Sequence, residues 1–217
     1  MNPDAYWHIL IATIAGGCPG VLVMWNRKRS QIAGESKLRR FTVLTLGTAA
    51  SACALYAFTK AFGGHSQIYA AVVMVLVTGW AAVFHSSVQL PVPRCVLRVR
   101  AIEFAVLRSP WTGVRSFGAC LRNTPLRHLG GRVYLSELGR DPLAALRGMH
   151  DAETVHMLAL LFCCPWLVFW GAQGRWMPVV WGLAVHLPLN VYPILHLRYA
   201  TWRVGGYLAR MQRSEEA

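Results

Sequence analysis

The stretch that decides the fold is 154–197, TVHMLALLFCCPWLVFWGAQGRWMPVVWGLAVHLPLNVYPILHL. It contains two apolar runs, 154–170 and 176–197, which are joined by the turn GAQGR. A helix needs about 20 mostly apolar residues to cross the hydrocarbon core of a bilayer. These runs therefore predict two membrane-spanning helices. Three earlier apolar runs, 6–25, 41–59 and 68–90, extend the prediction to an all-α, polytopic integral membrane bundle of about five spans.

The composition of the chain agrees with a lipid environment. Apolar residues make up 55% of the 217 residues and charged residues only 14%, whereas a soluble domain has about 25% charged residues. The net charge of +13 comes from basic residues that lie between the apolar runs, which favours contact with membrane lipids. No nucleic-acid-reading motif is present, so nucleic acid is not an expected partner.

Lysine and arginine counts predict the topology, because cytoplasmic loops are rich in these residues. Six lie between the first two apolar runs and ten arginines lie in 92–153. We therefore expect the amino terminus outside, the carboxy terminus inside, and a multi-pass location in the inner (cytoplasmic) membrane. Composition divides the chain into a three-span scaffold, 1–91, and a half comprising a basic, amphipathic segment and two spans, 92–217.

Ionisable residues accumulate where the basic segment meets the fourth apolar run, in MHDAETVHML (149–158). Glu153 and His156 are three residues apart and share one helix face. A carboxylate beside an imidazole suits a general base that activates a hydroxyl group. Asp151 is predicted to contact substrate, with helix capping as the alternative interpretation.

A second polar set follows in HLPLNVYPILHLRYATWR (186–203). His186 and Asn190 share a helix face, and polar side chains inside a span belong to a site or hold helices together. Arg198 is predicted to bind donor phosphates or the developing oxyanion, with an interfacial anchor as the alternative. Tyr199, with His186 and Asn190, is predicted to contact substrate.

The two polar tracts resemble those of the CrtO-type membrane acyltransferases, the family of glycosyl-4,4'-diaponeurosporenoate acyltransferase. Glu153 and His156 match that family's E-x-x-H element. A second set matches its N-x-x-P and R-Y elements: Asn190, Pro193, Arg198 and Tyr199. The family's pattern has Gln and Asn where this chain has Leu197 and Ala200.

The resemblance implies an enzyme that transfers a fatty acyl group from a thioester donor to a hydroxyl of a lipid-like acceptor. A glycosylated carotenoid or terpenoid, or a glycolipid, is the implied acceptor. Glu153, His156 and Arg198 would be the catalytic residues. No cofactor besides the acyl-thioester co-substrate and no metal are expected.

Two other functions remain open. The first is a non-catalytic membrane anchor or partner of a lipid-modifying complex, which suits the nearly apolar first three runs. The second is a metal-dependent membrane enzyme, with one metal held by Glu153, His156 and His186. A carboxylate-bridged di-iron set needs a second E-x-x-H element, which this chain lacks.

Overall fold

The computed structural model describes residues 36–63, 67–89, 99–124 and 141–215, and all regular structure within them is helical. The elements, in chain order, are α1 (Lys37–Phe62), α2 (Gln67–Val88), α3 (Ala101–Arg108), a 3-10 turn (Pro110–Thr112), α4 (Val114–Asn123), α5 (Pro142–Ala172), α6 (Trp176–His186), a π-helical segment (Leu187–Val191) and α7 (Tyr192–Glu215). The predicted span 6–25, Arg94 and Arg98 of the basic segment, and the tract 125–140 lie outside the described residues.

Four described helices are long and apolar enough to cross a membrane: Lys37–Phe62, Gln67–Val88, Pro142–Ala172 and the continuous helical stretch Trp176–Ser214. The all-helical prediction is thereby confirmed for the described residues, while the number of spans and their orientation stay predictions. Only 22% of the most apolar window of α1 is buried. Its exposed apolar residues suit contact with lipid.

Local signals fix the helix ends. The Ser36 hydroxyl accepts a hydrogen bond from the Arg39 amide at 3.3 Å and caps α1. The Asp141 carboxylate accepts one from the Ala144 amide at 2.9 Å, and proline follows it at the first position of α5. This start explains why α5 begins before the apolar run 154–170. Gly174 adopts a φ of +69° in the turn after α5, a conformation that glycine permits.

The described residues form two compact units by packing: 36–63, 67–89 and 155–190 in unit 1, and 99–124, 141–154 and 191–215 in unit 2. Helix α5 is continuous and contributes residues to both. The division at residue 91 follows the change in amino-acid composition, whereas the two units follow contacts between residues. The two divisions therefore need not coincide.

Unit 1 has an apolar core between α1, α2, α5 and α6. Its buried members are Tyr69, Ala70, Val73, Met74, Cys163 and Trp170. Close packing depends on Gly182 of α6, because a Cβ atom there would lie 2.9 Å from Leu167 Cδ2 and 3.3 Å from Met74 Cε. Small residues permit such close approach between helices in membranes.

Unit 2 is held by a smaller core in which the start of α5 packs on α7. The buried members of this core are Ala145, Met149, Leu197 and Val204. Helices α3 and α4 also contact α7. The Thr201 hydroxyl reaches Met149 Sδ at 3.9 Å. Arg198 therefore follows directly on a buried core residue of α7.

Candidate functional site

The π-helical segment Leu187–Val191 carries the first set of polar residues. Proline has no amide proton, so Pro193 denies the Leu189 carbonyl the donor that an α-helix would supply four residues later. Pro188 likewise cannot bond back to Ala184. Two prolines five residues apart therefore favour the wider π turn, and such turns are frequent at functional sites.

Four side chains of unit 1 form a hydrogen-bonded cluster, which we name the histidine network: Thr78, His156, His186 and Asn190. The Asn190 amide group lies at its centre and is fully buried. Asn190 Nδ2 is 2.8 Å from Thr78 Oγ1 and 2.9 Å from His186 Nδ1. Asn190 Oδ1 is 3.0 Å from His156 Nδ1. Three helical elements and the π segment thus meet at one amide.

Hydrogen-bond balance assigns the protons of the histidine network. Thr78 donates its hydroxyl proton to the Met74 carbonyl at 2.8 Å, so its oxygen accepts from Asn190 Nδ2. The second Nδ2 proton points to His186 Nδ1, which must therefore be an unprotonated acceptor. Asn190 Oδ1 only accepts, so His156 Nδ1 carries a proton.

The two imidazoles are consequently opposite tautomers in their neutral forms. His156 keeps a lone pair on Nε2, while His186 carries its proton on Nε2. His186 Nε2 is buried and has no hydrogen-bond partner among the described residues. The histidine network therefore holds a basic nitrogen on His156 and a proton-donating nitrogen on His186.

Three charged side chains of unit 2 form a second cluster, which we name the arginine cluster: Glu103, Glu153 and Arg198. Arg198 Nε donates a hydrogen bond to Glu153 Oε1 at 2.8 Å, and Arg198 Nη1 donates one to Glu103 Oε1 at 2.5 Å. The Glu153 side chain is fully buried, while 28% of the Glu103 side chain is exposed. Glu153 Oε2 is buried and has no hydrogen-bond partner within the described ranges. Two carboxylates thus share one guanidinium.

Aromatic rings pack between α3 and α7, two of the three helices that carry the arginine cluster. Phe104 of α3 stacks on Tyr199 with ring centroids 5.5 Å apart and on Trp202 with centroids 5.1 Å apart. The Arg203 guanidinium lies 5.9 Å from the centre of the Tyr199 ring. Because Glu103 precedes Phe104 and Arg198 precedes Tyr199, the ion pair and the ring stack hold α3 to α7 together.

Five of the seven predicted site residues lie in these two clusters. His156, His186 and Asn190 share the histidine network, while Glu153 and Arg198 share the arginine cluster. The predicted partner of the His156 imidazole is Glu153, whereas its side-chain partner in the structure is Asn190. Tyr199 lies in the aromatic stack, and Asp151 is exposed on α5. The contacts of Tyr199 and Asp151 with substrate remain predictions, as do the catalytic roles of Glu153 and Arg198.

Sequence reasoning missed Thr78 and Glu103. Thr78 is a polar residue in the apolar run 68–90. Threonine inside a helix usually donates its hydroxyl proton to a carbonyl of its own helix. The sequence therefore gives no reason to expect a second hydrogen bond, from Asn190 to the Thr78 hydroxyl oxygen. Glu103 is one of five acidic residues in the basic segment 92–153. An isolated acid among arginines is the signal that would have indicated an ion-pair partner.

Among the described residues, no group of three or more His, Cys, Asp and Glu side chains is arranged to hold a metal ion. The single-metal alternative needs Glu153, His156 and His186 together, and the hydrogen bonds of these side chains run to Arg198 and Asn190 instead. No family model, no curated protein and no solved structure matches the chain.

Proposed function

We propose that this protein is an integral membrane acyltransferase, which moves a fatty acyl group from a thioester donor to a hydroxyl of a lipid-like acceptor. The observation that carries the proposal is the histidine network, which fixes the His156 imidazole through Nδ1 and leaves a lone pair on Nε2. Ionisable side chains inside membrane helices are costly and usually functional. A half-buried histidine held by a fully buried amide fits a general base.

The reaction balances with His156 alone as the proton carrier. His156 Nε2 takes the proton of the acceptor hydroxyl as its oxygen attacks the thioester carbonyl. The new C–O bond forms, the C–S bond breaks, and the imidazolium returns the proton to the leaving thiolate. The products are an ester and a free thiol. No covalent intermediate on the protein is needed, because the hydroxyl attacks the donor directly.

The sequence resemblance to the CrtO-type acyltransferases supports the same reaction class and suggests a glycosylated carotenoid or terpenoid, or a glycolipid, as acceptor. The distribution of lysine and arginine supports five spans in the cytoplasmic membrane, with the amino terminus outside and the carboxy terminus inside. Four described helices are suited to such spans. Both the acceptor class and the topology belong to the proposal.

The test compares the lipids of cells that lack the gene with those of cells that carry it again. We expect an ester species to disappear on deletion and to return with the wild-type chain. His156→Asn should not restore it, because asparagine retains an N–H group for Asn190 but offers no basic nitrogen. Loss of a general base lowers a rate about 10²- to 10⁴-fold.

His85→Asn is the matched control, because His85 also lies on a helix of unit 1 but outside the histidine network. It should restore the ester. If His156→Asn restores the ester as well as the wild type does, the base assignment is wrong and a non-catalytic partner of a lipid-modifying complex becomes the better explanation. Metal analysis of the purified protein tests the metal-dependent alternative.

A further inference from the structure

His186 ends the histidine network with an unused proton donor. Its side chain is 3% exposed, and Asn190 occupies its Nδ1 lone pair. The proton therefore sits on Nε2, which is buried and has no hydrogen-bond partner in the part of the chain that the structure describes. Buried polar groups are almost always hydrogen-bonded in native proteins, and hydrocarbon offers them no water. A buried N–H group without an acceptor at this position calls for an acceptor atom on a bound molecule.

We propose that His186 Nε2–H binds the carbonyl oxygen of the acyl thioester donor. This inference rests on the proposed acyl transfer and assigns the second histidine a separate part in it. A neutral imidazole can polarise a carbonyl group by donating a hydrogen bond. Such a donor gains strength as negative charge develops on the oxygen during attack.

The direction of the hydrogen bonds in the histidine network supports these separate roles for His156 and His186. Thr78 can only accept from Asn190, because its own proton goes to the Met74 carbonyl. That direction forces a lone pair onto His156 Nε2 and a proton onto His186 Nε2. The first suits the hydroxyl that loses a proton, and the second suits the carbonyl oxygen that gains negative charge. Both groups are therefore set for acyl transfer before any substrate binds.

The test removes the carbonyl oxygen from the ligand and the N–H group from the protein, separately and together. The probes are S-palmitoyl-pantetheine, a thioester, and S-hexadecyl-pantetheine, a thioether of equal chain length. Pantetheine is the portion shared by coenzyme A and acyl carrier protein. Binding to the full-length protein in detergent micelles is measured by calorimetry. We expect the wild type to bind the thioester about fivefold to tenfold more tightly, the effect of one hydrogen bond.

His186→Asn should abolish this preference, because its amide oxygen still accepts from Asn190 but nothing replaces Nε2. His186→Gln should keep part of it, since the longer side chain carries an N–H group to the position of Nε2. The control His85→Asn should bind both probes as the wild type does. A loss of the preference in His186→Asn alone supports the proposal.

Three results overturn the inference. The first is equal binding of the two probes by the wild type, which is expected if a water molecule accepts the hydrogen bond from His186 Nε2. The second is a full preference in His186→Asn. The third is that neither probe binds the wild type. In each case the His156→Asn experiment in cells still decides the proposed acyl transfer independently. If His186→Asn does not fold, the wild-type preference and the His186→Gln variant decide the question without it.

Discussion

Replacement of Arg198 by methionine is the sharpest test of the arginine cluster. The change leaves Glu153 fully buried and deprives Oε1 of its donor at 2.8 Å, while Oε2 has no partner already. Removal of one partner from a buried ion pair costs about 3–5 kcal/mol. The bond to Glu103 adds less, because 28% of that side chain is exposed and exposed pairs contribute about 0.2–1 kcal/mol.

We therefore expect Arg198→Met to lower the free energy of unfolding by about 3–5 kcal/mol, and Glu103→Gln to lower it by about 1 kcal/mol or less. For a chain of this length, each kcal/mol moves the unfolding midpoint by about 2–4 °C. The midpoint of Arg198→Met should fall by roughly 6–20 °C on these values. Tryptophan fluorescence of the protein in detergent, at one fixed heating rate, measures it.

The double variant Glu153→Leu with Arg198→Met supplies the decisive comparison. Because it removes the buried carboxylate together with its partner, no fully buried charge is left unpaired, and such apolar replacements are often neutral or stabilising. Glu103 also loses Arg198, but 28% of its side chain is exposed, so this adds about 1 kcal/mol or less. Its midpoint should return close to that of the wild type. A double variant as unstable as Arg198→Met, or a single variant with an unchanged midpoint, would refute the argument that an unpaired buried carboxylate is the source of the loss.

Two further substitutions test the packing and the hydrogen bonds of unit 1. Gly182→Ala should cost about 1–3 kcal/mol, because its Cβ atom would lie 2.9 Å from Leu167 Cδ2. Gly205→Ala, which meets no atom within 4 Å, should stabilise the helix by about 0.5–1 kcal/mol, and equal midpoint shifts in the two variants would contradict this explanation. Thr78→Val should cost about 1–3 kcal/mol, because it leaves a buried N–H group of Asn190 unpaired, and should also reduce ester formation in cells. Thr78→Ser keeps the hydroxyl and should behave as the wild type does, so a valine variant with normal stability and activity would show that the bond is dispensable.

Hydropathy located the helices of unit 1 better than it located helix ends. The apolar run 41–59 lies inside α1 and 68–90 overlaps α2. Helix α5 begins at Pro142, twelve residues before its apolar run, because Asp141 and the following proline start a helix whose first turns include the charged residues Arg147, Asp151 and Glu153. Hydropathy detects the part of a helix that suits lipid. Capping groups determine where the helix itself begins.

The sequence predicted five residues of the candidate site, but not Thr78, Glu103 or the pairings between side chains. His156, His186 and Asn190 stood out as polar groups inside apolar runs, and the helix periodicity placed two of them on one face. Periodicity relates residues of one helix only. The bond from Asn190 to Thr78 joins residues 112 positions apart, and the bond from Arg198 to Glu103 joins residues 95 positions apart. Such pairings depend on tertiary packing.

The hydrogen bond that Thr78 donates to the Met74 carbonyl ends the histidine network at α2 and limits how protons can move through it. A proton wire needs each member to accept on one side and release on the other. Thr78 has committed its proton to a backbone oxygen that has none to give, so no proton can pass along Asn190 and leave through α2. A proton collected by His156 Nε2 must depart from the same nitrogen. Acid and base steps are thereby confined to one atom, and the histidine network gives protons no route to α2.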